Sequence, residues 1–248
     1  MLILLPPSEG KTAPSSGPPV ELEALSHPEL TAARRKVGTA LAAASSRRDA
    51  LRLLGVGPSI APQVASNTTL WSNPTAAAAR VYSGVLYEAA GAQSWEGDEL
   101  ARAGERVRII SGLWGAVSPA DHIPTYRLNM CVALPRVGPL TALWRATLSA
   151  SLDPIVADSL VIDCRSADYT SVWKAPQGAL TVRVAELKEG RRKVASHTAK
   201  FARGLLTGAL VRAERTPRDA DEVAGLAESL PAVVAVELAD STITLVTA

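Results

Sequence analysis

The sequence predicts a mixed α/β (α+β) fold in a single compact domain that spans residues 1–248. Short, uninterrupted apolar runs such as Met1–Leu5 and Ser159–Asp163 are typical of strands buried on both faces. Longer stretches with apolar residues at helical spacing, such as Pro139–Leu152, lie between them. The chain shows no internal repeat and no interdomain linker, and strands and helices do not alternate regularly. A regular doubly wound sheet is therefore not favoured.

Composition and charge narrow the class of protein. Apolar residues make up 47% of the chain and aromatic residues only 4%, so the core must consist mainly of Ala, Leu, Val and Ile. The net charge of +2 argues against a protein that is basic over its whole surface. It is compatible with a local basic cleft for an anion or for nucleic acid.

We expect neither a targeting signal nor a membrane span in this sequence. The N-terminal apolar run, Leu2–Leu5, is shorter than the roughly 7–15 residues of a signal-peptide core. No window approaches the ~18 apolar residues of a membrane span. Cys131 and Cys164 lie far apart and form no C-x-x-C, which favours a reducing compartment. We expect a cytoplasmic monomer with no membrane partner.

The first half of the chain is predicted to begin with the Met1–Leu5 strand, which ends at Pro6-Pro7. Arg34, Arg35 and Lys36 are interpreted as a solvated patch on the first long helix. The predicted elements that follow the first strand are helices over Pro28–Ala44, Pro74–Gly91 (broken at Ser83-Gly84) and Gly97–Gly104, and a strand over Val107–Ile110.

The second half is predicted to contain six more strands and three more helices. Leu180–Leu187 and Lys193–His197 are interpreted as a hairpin with a basic turn. The remaining predicted elements are strands over Met130–Leu134, Ser159–Asp163, Ala232–Leu238 and Thr242–Val246, and helices over Pro139–Leu152, His197–Ala213 and Pro217–Leu230.

The Ser8–Thr12 loop ends in Gly-Lys-Thr, which resembles part of a nucleotide-binding P-loop. The full pattern needs a glycine where Leu5 stands, and Pro6-Pro7 removes two backbone N–H groups that would hold phosphate. A P-loop is therefore not favoured. Such a loop after a buried strand can still bind an anion through its N–H groups and the Lys11 ammonium.

Arg47–Asn67 predicts two helices joined by a tight Gly-Val-Gly turn, a pattern that resembles the helix-hairpin-helix of DNA-binding proteins. The glycines would let the turn approach a phosphate, and the N–H groups that open the second helix would face it. Pro62 departs from the pattern because it shortens or kinks the second helix. An ordinary helical hairpin is the alternative. The candidate DNA contacts are Arg47, Arg48, Arg52, Gly55, Val56, Gly57 and Ser59.

Arg108–Met130 is too apolar for a solvated loop and too rich in turn residues and charges for a plain core element. We expect its glycine turns to carry Tyr126 and Arg127 to the same face as Lys11 and Lys200. That arrangement would form one anion-binding cleft.

Familiar catalytic signatures are absent. The three histidines lack metal-ligand spacing, so we expect no metal centre and no cofactor. Both cysteines lie in apolar surroundings that favour inert thiols. Asp121, Asp163 and Asp168 are acid/base candidates, with a loop cap or salt bridge as the alternative for each.

Several separated phrases resemble one known family. They are MLILLPPSEGKT at the N-terminus, VYSGVLY (Val81–Tyr87), RIISGLWGAVSPADHIPTYRLNM (Arg108–Met130), LW (Leu143-Trp144), VIDCRSADY (Val161–Tyr169) and KFARGLL (Lys200–Leu206). In this order they are similar to the YaaA family of peroxide-stress proteins. The resemblance implies a mixed α/β fold of the YaaA type and a cytoplasmic part in limiting free iron and oxidative damage. It also implies binding of double-stranded DNA through a basic cleft and the helix-hairpin-helix, which falls on Leu53–Val64.

Two functional hypotheses follow. The first is a protein that binds duplex DNA without sequence specificity and has no catalytic turnover. The alternative is an enzyme acting on a nucleotide-like or other anionic small molecule, with Asp168, Lys11 or Lys200 as catalytic candidates. Its predicted cleft consists of Ser8, Lys11, Ser111, Tyr126, Arg127, Asp168, Lys174, Lys200 and Arg203.

Overall fold

A mixed eight-stranded β-sheet is the centre of the computed structural model, which describes residues 1–188, 191–193 and 196–248. The strands are β1 (Leu2–Leu5), β2 (Ala76–Ala77), β3 (Val107–Ser111), β4 (Gly115–Val117), β5 (His122–Ile123), β6 (Ala133–Leu134), β7 (Gly138–Pro139), β8 (Val161–Asp163), β9 (Leu180–Lys188), β10 (Arg191–Lys193), β11 (Val233–Ala239) and β12 (Thr242–Thr247). The helices are α1 (Thr31–Ser45), α2 (Ala50–Leu53), α3 (Ala61–Ser66), α4 (Ala78–Val81), α5 (Val85–Ala90), α6 (Gly97–Arg106), α7 (Leu140–Val156), α8 (Ala167–Thr170), α9 (Ser196–Arg212) and α10 (Ala220–Glu228).

The sheet has the strand order β11-β12-β9-β8-β1-β3-β4, with β10 paired to β9. Its five middle strands are mutually parallel, and antiparallel strands flank them. Ile3 lies between Val107 of β3 and Ile162 of β8. All four residues of β1 are buried although successive side chains point to opposite faces, so both faces of the sheet are covered there. This confirms the predicted mixed α/β class.

One connected hydrophobic core joins the sheet to the helices. Trp95, Trp114 and Trp144 are fully buried in it, so a few large aromatic side chains supplement the aliphatic core that the composition predicts. Arg34 is also fully buried, which corrects its assignment to a solvated patch. Its guanidinium donates to the carbonyl oxygens of Trp114 (3.0 Å), Ser26 (2.6 Å) and Ala116 (2.7 Å), and these bonds replace its hydration.

Most predicted elements are confirmed with small shifts at their ends. The predicted strand Met130–Leu134 is mostly wrong, because only Ala133–Leu134 forms a strand and a turn precedes it. The predicted break at Ser83-Gly84 separates α4 from α5, and Gly84 has a φ of 107° that favours glycine. The second strand of the basic hairpin is partly wrong. Strand β10 ends at Lys193, and His197 lies in α9. Residues 189–190 of the predicted turn and 194–195 of that strand lie outside the described residues.

In the described part of the chain, no helix has both the length and the apolar character that crossing a membrane requires.

Candidate functional site

The candidate site lies at the ends of three neighbouring parallel strands. The carboxyl ends of β8, β1 and β3 lie at one edge of the sheet because these strands pair in parallel. Pro6–Thr12 follows β1, Ser111 ends β3, and Tyr169 lies in the helix after β8. This edge is the usual place for a binding site in an open α/β sheet.

The loop after β1 is fixed to the junction between α4 and α5. The N–H of Thr12 donates to the carbonyl of Val81 (2.9 Å), and the N–H of Ser83 donates to the carbonyl of Gly10 (3.1 Å). The Ser8 hydroxyl donates to the carbonyl of Ser83. These bonds hold the Lys11 side chain in one direction.

Lys11, Tyr126 and Arg127 line one cleft of about 410 Å³, which we call the Lys11 cleft. Its opposite wall includes Pro62 and Gln63 from α3. The segment that resembles a helix-hairpin-helix therefore forms part of the same cleft, a placement that the sequence does not indicate.

The Lys11 amine lies among aromatic rings and backbone carbonyls. Its Nζ is 4.3 Å from the ring centroid of Tyr126 and 5.5 Å from that of Tyr82, and it donates to the carbonyl of Ser8 at 2.6 Å. Burial, reinforced by the nearby charge of Arg127 and opposed by Glu9, lowers the pKa of Lys11 to about 7. The amine is therefore close to half neutral at neutral pH, whereas an ordinary lysine is fully charged.

A chain of three buried hydroxyl groups lies beside Lys11. The Tyr126 hydroxyl is 2.7 Å from the Ser111 hydroxyl and 2.8 Å from the Tyr82 hydroxyl. Burial raises the pKa of Tyr82 and of Tyr126, so both phenols keep their protons. They can donate hydrogen bonds but cannot act as bases at neutral pH.

Arg127 is held at the cleft from two directions. Its guanidinium forms an ion pair with Glu9 at 3.1 Å. The Asn67 side chain accepts from the Arg127 N–H (2.9 Å) and donates to the Arg127 carbonyl (3.0 Å). Asn67 is fully buried just after α3, so it links the position of Arg127 to that helix.

Lys200 and Arg203, two further predicted cleft residues, do not line the Lys11 cleft. Lys200 is exposed and lines a neighbouring cleft of about 260 Å³ on the other side of Ser8 and Gly10. Arg203 donates twice to the carbonyl of Val182 (2.9 and 3.2 Å), which fixes it against β9. Lys11, Tyr126 and Arg127 thus line one cleft, whereas Lys200 lines the neighbouring one.

None of the three predicted acids lines the Lys11 cleft. Asp168 is exposed and lies beside Cys131, whose pKa rises through burial and through that carboxylate. Asp163 forms a buried ion pair with Arg165 at 2.7 Å, and Asp121 accepts from Ser26 and Ser118. Asp163 therefore serves as a salt-bridge partner and Asp121 as a loop cap, which are the structural alternatives to acid/base catalysis.

Lys174 is exposed and lines neither the Lys11 cleft nor the neighbouring one. Sequence reasoning missed Glu9, Asn67 and Tyr82. Glu9 lies inside the SEGKT phrase, and Tyr82 lies inside VYSGVLY, where the apolar spacing indicates only core packing. Tyr82 is indeed fully buried, and only its tertiary neighbours show that its hydroxyl and ring serve the cleft.

The candidate DNA-binding segment is shorter than predicted. It has a four-residue α2, a one-turn 3-10 helix at Pro58–Ile60 and the six-residue α3, so a full helix-hairpin-helix is not shown. Gly55 has a φ of 65° and closes α2, where its N–H donates to Arg52 (3.2 Å) and that of Val56 donates to Leu51 (2.9 Å). Two predicted phosphate donors are therefore already used within the turn.

The arginines beside that turn differ in their pairing. Arg47 and Arg52 both form ion pairs with Asp49, at 2.8 and 2.7 Å. Arg48 is exposed, as are Gly57 and Ser59. Arg48, Gly57 and Ser59 are the predicted DNA contacts that remain most accessible.

Metal-ligating side chains do not cluster within residues 1–188, 191–193 and 196–248. No group of three or more His, Cys, Asp or Glu in this part of the chain is placed to hold a metal ion.

Taken together, the fold and the cleft define an α/β protein whose cleft at the carboxyl ends of its parallel strands is lined by Lys11 and Arg127. The sequence pattern of the family described as "Peroxide stress protein YaaA" matches residues 1–228. A UPF0246 protein of Corynebacterium efficiens is 42% identical over 99% of this chain and 100% of its own length. One of Streptomyces coelicolor is 39% identical over 90% of this chain and 87% of its own. The chain belongs to this family of peroxide-stress proteins, which confirms the resemblance seen in the separated phrases.

Proposed function

We propose that this peroxide-stress family member acts in the cytoplasm as an enzyme on an anionic, nucleotide-like small molecule bound in the Lys11 cleft. The observation that carries the proposal is the placement of Lys11 and Arg127 in one cleft at the carboxyl ends of the parallel strands. A lysine whose pKa lies near 7 can accept or donate a proton at physiological pH.

Each charged group has a role in this proposal. Arg127 binds the anionic group of the substrate after its guanidinium leaves the exposed Glu9, since the planar guanidinium pairs well with carboxylate or phosphate. Lys11 is the general base in its neutral form and the general acid in its charged form. Tyr126 and Tyr82 flank the amine and reduce its contact with water.

Thermal-shift titration of the purified protein with nucleoside monophosphates and inorganic phosphate tests this proposal. We expect binding to raise Tm for the wild type and to be lost in Arg127→Met. Lys36→Met is the matched control, since Lys36 is exposed on α1 outside the cleft. Equal Tm shifts in wild type and Arg127→Met would contradict the proposal.

Binding of double-stranded DNA at the α2–α3 turn is the second candidate function. The exposed Gly57 and Ser59 at the start of the 3-10 helix and the exposed Arg48 favour it, since N–H groups at such a position attract phosphate. Such contacts give affinity without sequence specificity. The ion pairs of Arg47 and Arg52 with Asp49 argue for few phosphate contacts and a modest salt dependence.

Fluorescence anisotropy on a short duplex at several salt concentrations tests the DNA hypothesis. Arg48→Glu should weaken binding at low salt by roughly tenfold because it reverses a charge beside the phosphate. Arg35→Glu on α1 is the control for a change of the same charge away from the turn. Equal weakening by both variants would indicate a general charge effect and remove the turn from consideration.

We place any limitation of free iron downstream of one of these two sites. Cells that carry only Arg127→Met or only Arg48→Glu, challenged with hydrogen peroxide, would show which site protects. Loss of protection in one strain, measured with the pool of chelatable iron, assigns the stress role to that site. Full protection in both strains would overturn both assignments.

A further inference from the structure

The Lys11 amine has the surroundings of a nucleophile. In the described part of the chain its recorded hydrogen bonds go to backbone carbonyls, those of Ser8 at 2.6 Å and Glu9 at 3.5 Å. The Glu9 carboxylate is paired instead with Arg127 at 3.1 Å. A lysine that served mainly as a structural ion-pair partner would hold that carboxylate itself.

We propose that Lys11 forms a Schiff base with the carbonyl carbon of a small anionic aldehyde or ketone whose carboxylate or phosphate is held by Arg127. The inference rests on the proposed function, because it uses the same cleft, and it adds the substrate class and the covalent step. Both side chains line the cleft of about 410 Å³, which has room for a small metabolite.

The reaction needs no oxidant, reductant or metal. The lone pair of Nζ attacks the carbonyl carbon, and a carbinolamine forms. The two hydrogens of the neutral amine then leave with the carbonyl oxygen as water, which produces a carbon–nitrogen double bond. Uptake of one proton from solvent converts this imine to the cationic iminium.

The aromatic rings suit that product. The ring centroids of Tyr126 and Tyr82 lie 4.3 and 5.5 Å from Nζ, within the distance at which an aromatic ring stabilises a cation. An iminium keeps the positive charge at this nitrogen. The site therefore stabilises the adduct without a carboxylate beside it.

The hydroxyl chain supplies a hydrogen for the carbonyl oxygen. Ser111 Oγ accepts the N–H groups of Leu113 (3.2 Å) and Trp114 (3.1 Å), so its own hydrogen is directed to Tyr126. The contact between Tyr126 and Tyr82 uses a second hydrogen. Three hydroxyls share two contacts, so one tyrosine hydrogen is left over for a further acceptor such as a substrate oxygen.

Reductive trapping tests the covalent step. The full-length protein is incubated with glyoxylate and cyanoborohydride at pH 7, and carboxymethylated lysines are located by peptide mass mapping. At this pH a lysine with the ordinary pKa of about 10.4 is neutral in fewer than about one molecule in a thousand. We therefore expect Lys11 to be modified roughly 10- to 100-fold faster than the exposed Lys36, with a rate that rises through about pH 7 and then levels.

Two matched measurements separate the roles of the residues. Arg127→Met should slow the modification of Lys11 by glyoxylate at least about tenfold, because the carboxylate loses its partner. Modification by neutral propionaldehyde should slow less than modification by glyoxylate, because it reflects only the effect of the Arg127 charge on the pKa of Lys11. The circular dichroism spectrum shows that the variant is folded. Modification of Lys11 at the rate of Lys36 by both aldehydes would overturn the proposal.

The same samples distinguish this proposal from the proposed function. Glycolate has the carboxylate of glyoxylate but no carbonyl, so it reports binding alone through Tm. A Tm increase with glycolate but no trapping of glyoxylate at Lys11 would overturn the Schiff base and leave the anion site intact. No Tm increase with either glycolate or nucleotides, together with no trapping, would overturn both.

Discussion

At the scale of single residues, Lys11 has the most consequential environment in the site. Burial and the charge of Arg127 lower its pKa to about 7 from its ordinary value of 10.5. Between those two pH values the unfolded chain binds more protons than the folded one. The contribution of Lys11 to the free energy of unfolding therefore rises between about pH 7 and pH 10.5. Below about pH 7 the lysine is charged in both states, and the full cost of burying that charge lowers stability.

Lys11→Met should consequently stabilise the protein most at low pH. We expect a gain of roughly 1–3 kcal/mol at pH 6, less than the whole pKa shift would give because the side chain is partly exposed. The gain should shrink as pH rises through 7 and vanish above about 10.5. Urea unfolding at pH 6 and pH 9 measures it, with Lys36→Met as the control. A gain independent of pH would contradict the assigned charge state.

Arg34 gives the second prediction at this scale. Arg34→Met should cost about 3–5 kcal/mol, because three buried carbonyl oxygens lose their donor. The neighbouring Arg35 is exposed and pairs only with the exposed Glu23. Arg35→Met should therefore change stability by less than about 1 kcal/mol. Similar Tm changes in the two variants would show that Arg34 is not a structural residue.

The sequence anticipated the site at this scale only in part. It pointed to Lys11, Tyr126 and Arg127 because each lies in a polar phrase after a predicted strand. It missed Asn67 and Tyr82 because a buried asparagine and a core tyrosine leave no pattern in sequence. Their roles depend on what packs against them, which are the Arg127 backbone and the Tyr126 hydroxyl.

At the scale of elements, close packing between α5 and α9 depends on glycine. A Cβ added at Gly204 would lie 2.2 Å from the Leu86 carbonyl oxygen and 2.7 Å from the Ala89 side chain. The backbone of α9 at Gly204 therefore lies directly against α5. This packing glycine lies inside the phrase KFARGLL.

Gly204→Ala should therefore destabilise the protein by roughly 1–3 kcal/mol, because the helices must separate. Gly225 lies on an exposed position of α10, where an added Cβ meets nothing within 4 Å. Gly225→Ala should instead stabilise by about 0.5–1 kcal/mol through helix propensity. Thermal unfolding of both variants tests the pair. A stabilising Gly204→Ala would refute the close approach of the two helices.

The α2–α3 segment has shorter helices than its helix-hairpin-helix pattern predicts. Its glycine turn was predicted correctly, and the positive φ of Gly55 gives the reason for that glycine. The two flanking helices are only four and six residues long, since Gly55 follows the end of α2 and a separate 3-10 turn at Pro58–Ile60 precedes α3. Nothing local indicated that α3 would form a wall of the Lys11 cleft.

At the scale of the whole molecule, the C-terminal strands complete the sheet. The family pattern ends at residue 228, yet β12 pairs in parallel with β9 and buries Ile243 and Leu245 completely. Each such side chain contributes roughly 1.5–3 kcal/mol by its burial. Together they are a large part of the 5–15 kcal/mol that stabilises a typical domain.

A chain truncated after Glu228 should therefore lose cooperative unfolding. Removing β11 and β12 exposes the edge of β9 and the core beneath it. We expect a broad thermal transition and rapid proteolysis at temperatures where the full chain resists. A sharp transition within a few degrees of the full-length Tm would show that the last two strands are accessory.

The sequence by itself determined the mixed α/β class, most strand and helix positions, the family, and the polar phrases that carry Lys11 and Arg127. These follow from local periodicity, from the residues that favour turns, and from the order of the family-like motifs along the chain. Only the tertiary structure decided that β8, β1 and β3 are adjacent and parallel, that Lys200 lies across the loop from Lys11, and that α3 closes the cleft. The physical reason is that pKa, burial and pairing depend on neighbours distant in sequence, and these neighbours meet only when the sheet forms.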